Sequence, residues 1–145
     1  MCLCPTEKGL KKYDGKTGIF KFYKIFDDII INNKRIIKSP FQDHIITRSG
    51  KINLPKNSTL DLYFYNNNSE IHITGGCFHG FSNFKSAKKM TNRSYFLMNK
   101  VIILPIYVKG DDIVAADSTS GVCFFSYEIK KEDWDKALKI NKKIR

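Results

Sequence analysis

The sequence has no apolar run long enough to cross a membrane as a helix. The longest such run covers residues 101–108, whereas a membrane-spanning helix needs ~20 consecutive apolar residues. Met1 is not followed by the basic segment and the long apolar segment of a secretory signal peptide. These absences predict a protein without a membrane partner that stays in the cytoplasm of the cell that makes it.

Cysteine is scarce as well. The four cysteines are Cys2, Cys4, Cys77 and Cys123, and a chain without an export signal keeps its thiols reduced in the cytoplasm. The sequence therefore predicts free thiols rather than a small secreted fold held by a disulfide framework.

The motifs that identify common reactions are missing. The sequence contains no recognisable glycine-rich phosphate-binding loop, pair of catalytic carboxylates or Ser-His-Asp arrangement. We therefore expect a non-enzymatic protein that uses no cofactor.

Acidic residues are absent from a long central stretch. Residues 71–110 contain neither Asp nor Glu, and the whole chain carries a net charge of +11 from 25 basic and 14 acidic residues. Such an excess favours anionic partners, because the basic residues together produce a positive electrostatic potential and because binding releases counterions. The residues that we predict to form the binding surface are Lys85, Lys88, Lys89, Arg93, Tyr95 and Lys100.

Two kinds of partner fit this surface. A nucleic acid would place its phosphates beside the lysines and stack its bases on aromatic rings. An acidic protein surface would interact only with the positive charges. The structural alternative is a solvated lysine face with the aromatic residues in the core. No named nucleic-acid-binding motif in the sequence decides between these interpretations.

The apolar residues that are present suffice for one domain. A chain of 145 residues has the usual size of a single domain, and 42% of its residues are hydrophobic, including eleven Phe and seven Tyr. Disordered chains are poor in such residues. We predict one domain over residues 1–145, in which residues 1–17 form an extended N-terminal arm.

Alternating and β-branched segments predict an α+β fold built mainly on antiparallel β-sheet. The predicted strands are residues 18–26, 29–31, 35–38, 44–47, 59–65, 70–74, 101–108, 113–116 and 122–129. Asp27-Asp28 is predicted as a turn between the first two strands. Residues 101–108 are nearly continuous in β-branched residues, which predicts the central strand of the sheet.

Two helices complete the predicted fold. A short central helix of about ten residues follows Ser82 as its cap, and a C-terminal helix begins at Lys131 with acidic residues first and basic residues last. The residues expected to face the core are Phe81, Phe84 and Ala87 in the central helix and Trp134, Ala137 and Leu138 in the C-terminal helix.

Cys77 and His79 form the segment that most suggests catalysis. They flank Phe78 directly after two glycines, and a thiolate beside a protonated histidine is the activated nucleophile of cysteine hydrolases. The structural alternative is that Cys77 is a small buried apolar residue.

A second enzymatic hypothesis also centres on His79. The order His79, Tyr95, Glu128 resembles that of one branch of the ADP-ribosyltransferases, in which the histidine grips the nucleotide. A nucleotide-using enzyme of this type is the alternative function.

We expect no bound metal. The alternative is a zinc site made by Cys2, Cys4, Cys77 and His79. Cys2 and Cys4 have one intervening residue, whereas the usual paired-cysteine motif has about two or more, so the spacing is a weak signal for zinc.

The remaining signal is the order of five short blocks. They are Met1-Cys2-Leu3, Phe22-Tyr23-Lys24, Ser39-Pro40-Phe41, Gly76-Cys77-Phe78-His79-Gly80-Phe81, and residues 101–108 with Lys109-Gly110. This order resembles a loosely defined group of small uncharacterised proteins of bacteriophages and gut bacteria. The resemblance implies a phage or phage-like origin more than a function. Our hypothesis for the role is a virion component, with other virion proteins as partners, or a factor directed at the host. The group often has Gly, an aromatic residue and His at the central block, so Cys77 departs from its pattern.

Overall fold

Alternating apolar and polar residues build about half of the described chain into antiparallel β-sheet, and the computed structural model describes residues 3, 5–13, 17–40, 47–54, 58–65, 70–92 and 100–139. Short helices, including a C-terminal one, accompany the sheet, which confirms the predicted fold class. The strands are β1 (Ile19–Ile31), β2 (Lys34–Lys38), β3 (Gly50–Asn53), β4 (Asp61–Tyr65), β5 (Glu70–Gly75), β6 (Phe78–Phe81), β7 (Val101–Lys109), β8 (Ile113–Ala116), β9 (Gly121–Phe124) and β10 (Ser126–Ile129). The helices are α1 (Glu7–Lys11), α2 (Phe84–Met90) and α3 (Lys131–Lys139).

The main sheet curls around its own core. Its strand order is β3-β10-β7-β1-β6-β9-β8, with β2 added to β1. Phe125 alone separates β9 from β10, so one bent segment pairs with β6 at its start and with β7 at its end. Because this segment stands at both ends of the path β10-β7-β1-β6-β9, the sheet must bend round on itself.

Aromatic side chains fill the space inside this curved sheet. The ring of Phe78 lies edge-on to the ring of Tyr127 with 4.8 Å between centroids, and Phe124 lies 5.9 Å from Tyr127. Phe22 and Phe26 from β1 belong to the same buried cluster. Such ring pairs contribute ~0.5–1.5 kcal/mol each in addition to the free energy of burying their apolar surface. This aromatic cluster therefore stabilises the packing of the strands in the curved sheet.

The prediction of a turn at Asp27-Asp28 is wrong, because β1 runs through both residues. It pairs with β7 along residues 19–27 and with β2 along residues 27–31. The Asp28 carboxylate is fully buried and accepts two hydrogen bonds from Arg35, at 2.8 and 2.7 Å. This ion pair, made across the β1–β2 hairpin, lets an acidic residue lie inside a strand.

The N-terminal segment is not the extended arm that was predicted, since it contains α1. Thr6 caps this helix by accepting a hydrogen bond from the backbone N–H of Gly9 at 2.8 Å. Leu3 exchanges backbone hydrogen bonds with Ile73. The Leu3–Ile73 bridge and the hydrogen bond from the N–H of Thr6 to the backbone oxygen of Ala116 tie the segment to the rest of the fold.

The central helix is shorter than predicted and has a different cap. Asn83 rather than Ser82 caps α2, because its side chain accepts from the N–H of Ser86 at 2.8 Å. Ala87 is buried as expected, but Phe84 is 50% exposed. The helix packs on β1, β6 and β7 through Ala87.

Several strand predictions are confirmed. β7 lies between β10 and β1, inside the sheet, and β4–β5 and β8–β9 pair as antiparallel neighbours. β3 and β6 are strands that the prediction missed, and the predicted strand at residues 122–129 is interrupted at Phe125. The predicted strand at residues 44–47 and the turn at residues 66–69 lie wholly or mostly outside the described residues.

The C-terminal helix begins at Lys131 as predicted. Ala137 is buried, Trp134 is half-buried and Leu138 is 39% exposed, so Leu138 does not belong to the core-facing stripe. In the described part of the chain, no helix has the length and apolar character that a membrane span requires.

Candidate functional site

The central glycine block leads into β6 and brings Cys77 and His79 into the sheet. Gly76 has a φ of 78°, a left-handed conformation that glycine adopts without steric cost. β6 then pairs with β9 so that His79 lies opposite Cys123. Since side chains two residues apart in a strand, and those directly opposite across a pair, share one face, Cys77 and Cys123 are directed toward the same place as His79.

Cys77, His79 and Cys123 form a compact cluster of ligand-type side chains. Their donor atoms all lie within 4.8 Å of one another. Both cysteines are buried and neither is part of a disulfide, and Leu3, Ile73 and Ala115 pack around them. We call these three residues the Cys-His-Cys cluster.

The environment of this cluster favours the protonated thiol of Cys123 and the neutral imidazole of His79. The hydrogen bond with Cys77 and burial both raise the pKa of Cys123. Burial, helped by the charge of Lys24, lowers the pKa of His79 to about 4. At neutral pH the ring is therefore an uncharged imidazole, and its buried Nε2 atom has no hydrogen-bond partner among the described residues.

Lys24 is a buried base next to this cluster. It is 2% exposed, and its Nζ lies 5.2 Å from the ring centre of Phe26 and 5.7 Å from that of Phe78. The Nζ atom donates to the backbone oxygen of His79 over 3.5 Å. Burial lowers the pKa of Lys24 to about 7, although negative charge at Cys77 and Asp27 acts in the opposite direction.

The cluster is poorly suited to the two enzymatic hypotheses. A cysteine hydrolase needs a thiolate beside a protonated histidine that a substrate can reach, whereas Cys77 is 1% exposed. Glu128 is exposed on β10, which pairs with β3 and β7 and not with β6. Tyr95 lies outside the described residues, and the structure does not bring Glu128 to His79.

Half of the alternative zinc set is brought together. Cys77 and His79 lie side by side, whereas Cys2 and Cys4 are outside the described residues. Cys123 occupies a position in the cluster that the sequence interpretation missed. The alternation in β9 could have shown that Cys123 lies opposite in direction to Val122 and Phe124, but no local pattern predicts that β9 pairs with β6.

Three of the residues predicted for the basic surface lie on α2. Lys85, Lys88 and Lys89 are exposed. Because an α-helix turns by about 100° per residue, Lys85 and Lys89 lie opposite Ala87 and Lys88 lies at the flank of the helix. None of these three lysines forms an ion pair with a described residue. Lys100 is exposed just before β7, and Arg93 lies outside the described residues.

Aromatic rings and a further lysine adjoin this helix. The ring of Phe84 lies edge-on to that of Tyr23 with 5.8 Å between centroids. The Nζ of Lys21 is 5.7 Å from the ring centre of Tyr23. We call this surface the α2 face, and its residues are Lys21, Tyr23, Phe84, Lys85, Lys88 and Lys89.

Comparisons with protein-family models, with curated proteins and with solved structures find no match. The resemblance to phage and gut-bacterial proteins therefore stays a prediction. The function has to be argued from the side chains of the two candidate sites.

Lys21, Tyr23 and Lys24 are site residues that the sequence interpretation did not select. The predicted alternation of residues 18–26 already directs Lys21 and Tyr23 away from the core, so a signal for them was present. The same alternation directs Lys24 into the core with Phe22 and Phe26. A buried lysine at that position was a local sign of an unusual environment.

Proposed function

We propose that the protein binds single-stranded nucleic acid through the α2 face and catalyses no reaction there. The observation that carries the proposal is the grouping of Lys85, Lys88 and Lys89 on one exposed helix side beside the exposed ring of Phe84. Within this proposal the protein acts in the cytoplasm of the host or in the virion of a phage.

The lysines supply the electrostatic part of this interaction. Each ammonium that neutralises a phosphate releases counterions, so log affinity falls linearly with log salt concentration by ~0.7 per contact on a single strand. The absence of ion pairs between these lysines and described residues supports such a role, because their charge is not already used within the fold.

The rings favour a nucleic acid over an acidic protein surface. Every base has a face that stacks on an aromatic ring, and each such stack contributes ~1–3 kcal/mol. Phe84 is half exposed and is held edge-on by Tyr23, so its outer face is available without a change in the fold. An acidic protein surface would gain little from an apolar ring at this place.

The test measures binding of a fluorescent single-stranded oligonucleotide at several salt concentrations. Replacing Lys85, Lys88 and Lys89 together by Gln should reduce the salt slope by ~2 and the affinity by at least about tenfold. The matched control replaces Lys131, Lys136 and Lys139 of α3, which are also exposed, by Gln. Equal losses in both variants would mean that total charge rather than the α2 face binds the strand.

The ring is tested separately. Phe84→Ala should weaken binding by ~1–3 kcal/mol with an unchanged salt slope, whereas Leu138→Ala, which also truncates an exposed apolar residue, should have no effect. If Phe84→Ala binds like the unmodified chain while the lysine variant binds an acidic peptide less well, the partner is an acidic protein surface instead.

A further inference from the structure

We propose that the Cys-His-Cys cluster binds a zinc ion or another soft divalent transition metal. The proposal is independent of nucleic-acid binding, because Cys77 and Cys123 are buried, His79 is half-buried and none of the three belongs to the α2 face. Thiolate and imidazole are the ligands that zinc prefers, whereas magnesium and calcium require oxygen ligands.

The distances suit a tetrahedral site. Zinc bonds of about 2.3 Å to sulfur and about 2.0 Å to nitrogen place the donor atoms roughly 3.5–3.8 Å apart. The three donor atoms already lie within 4.8 Å of one another. Closing the remaining gap takes movements of no more than about 1 Å, which small side-chain rotations provide. Three protein ligands also leave a fourth position for water or another donor.

The environment of the Cys-His-Cys cluster favours metal binding. No residue in the described ranges forms a hydrogen bond with the buried Nε2 of His79, and a buried polar atom left unsatisfied is costly. Coordination by that nitrogen would remove this cost. Leu3, Ile73 and Ala115 exclude water around the thiols, which strengthens the attraction between a cation and thiolates.

The charges require both thiols to lose their protons on binding. Two thiolates cancel the charge of a divalent ion, so the complex as a whole is neutral and can stay buried. Lys24 donates to the backbone oxygen of His79, and its positive charge favours thiolates while it disfavours a bare cation. The site should therefore accept a metal only as a dithiolate complex.

The first experiment refolds the reduced full-length chain with cobalt(II), removes excess ion and records the absorption spectrum. We expect one cobalt per chain, a thiolate-to-cobalt charge-transfer band in the near ultraviolet and the visible bands of tetrahedral cobalt, all abolished by an equimolar addition of zinc. A spectrum of octahedral cobalt without the charge-transfer band would overturn the proposal.

Variants identify the ligands. Cys77→Ala and Cys123→Ala should each lose most of the charge-transfer band, and His79→Gln should weaken cobalt binding. The matched control is His72→Gln on β5, which lies outside the cluster and should leave stoichiometry and spectrum unchanged.

Loss of the fold is monitored in the same samples. Each variant is melted with a chelator present, and only variants with a cooperative transition are compared for metal. Zinc should raise the melting temperature of the unmodified chain and of His72→Gln, but not that of the double variant Cys77→Ala with Cys123→Ala. A persistent zinc shift in that double variant would show that the metal binds elsewhere.

Discussion

At the scale of single residues, Lys24 is the group whose environment departs most from water. An isolated ammonium is strongly disfavoured in a protein interior and loses its proton instead. Lys24 is 2% exposed and its pKa is lowered to about 7. The core therefore contains a base that changes charge near neutral pH.

This lowered pKa predicts how stability depends on pH. The folded chain releases the Lys24 proton near pH 7 and the unfolded chain near pH 10.5, so between these values the unfolded state binds more protons and the free energy of unfolding rises with pH. The contribution is present in full above pH 10.5 and is lost as the pH falls to about 7. The titration of Lys24 changes the free energy of unfolding by at most ~1.4 kcal/mol per pH unit.

The measurement is urea unfolding from pH 7 to 8 with chelator and reductant, below the pKa of about 8.5 at which the thiols of an unfolded chain ionise. Lys24→Met should remove most of this rise and stabilise the chain at pH 7 by about 1–4 kcal/mol, because it replaces a buried base by an apolar side chain of similar length. An equally steep rise in Lys24→Met would assign the pH dependence to another group.

The buried ion pair between Asp28 and Arg35 makes the second prediction at this scale. Arg35→Met removes the two hydrogen bonds that Arg35 donates to the fully buried Asp28 carboxylate. Breaking such a buried ion pair costs about 3–5 kcal/mol. The control Lys34→Met changes an exposed neighbour and should shift the free energy of unfolding by no more than about 0.5 kcal/mol. Similar losses in both variants would contradict the role of the pair.

At the scale of secondary-structure elements, α2 connects the fold with the proposed binding surface. It has seven residues, too few to be stable alone in water. Its conformation therefore depends on the cap at Asn83 and on Ala87 packed against β1 and β6.

The cap gives a prediction that separates the sequence interpretation from the structure. Asn83→Ala should cost about 0.5–2 kcal/mol of stability, because it removes the bond from the N–H of Ser86. Ser82→Ala should change stability by no more than about 0.5 kcal/mol, since Ser82 precedes the cap residue. Thermal melting of both variants decides the matter, and a larger loss for Ser82→Ala would favour the cap that the sequence predicts.

The elements also show why local patterns succeed or fail. β7 was predicted because it is continuous in apolar and β-branched residues, and such a run needs no information from elsewhere in the chain. The predicted first strand ends before Asp27, because two adjacent acidic residues are typical of a turn. The partner that keeps Asp28 inside the strand is Arg35, which only the pairing of β1 with β2 brings into reach.

At the scale of the whole molecule, the curvature of the sheet decides which residues meet. β9 and β10 are separated by Phe125 alone, yet they pair with strands on opposite sides of β1. This arrangement encloses the aromatic cluster and brings Cys123 opposite His79. The pairing of β6 with β9 and that of β7 with β10 join segments that are far apart in the sequence. Local periodicity therefore does not predict them.

The sequence by itself determined the positive charge, the acid-free stretch, the class of fold and the lysine side of α2, because composition and helical or strand periodicity are local properties. Tertiary structure alone decided the Cys-His-Cys cluster, the environment of Lys24 and the exposure of Phe84. These depend on which strands pair and how the sheet curves, and those choices follow from burial summed over the whole chain rather than from any short segment.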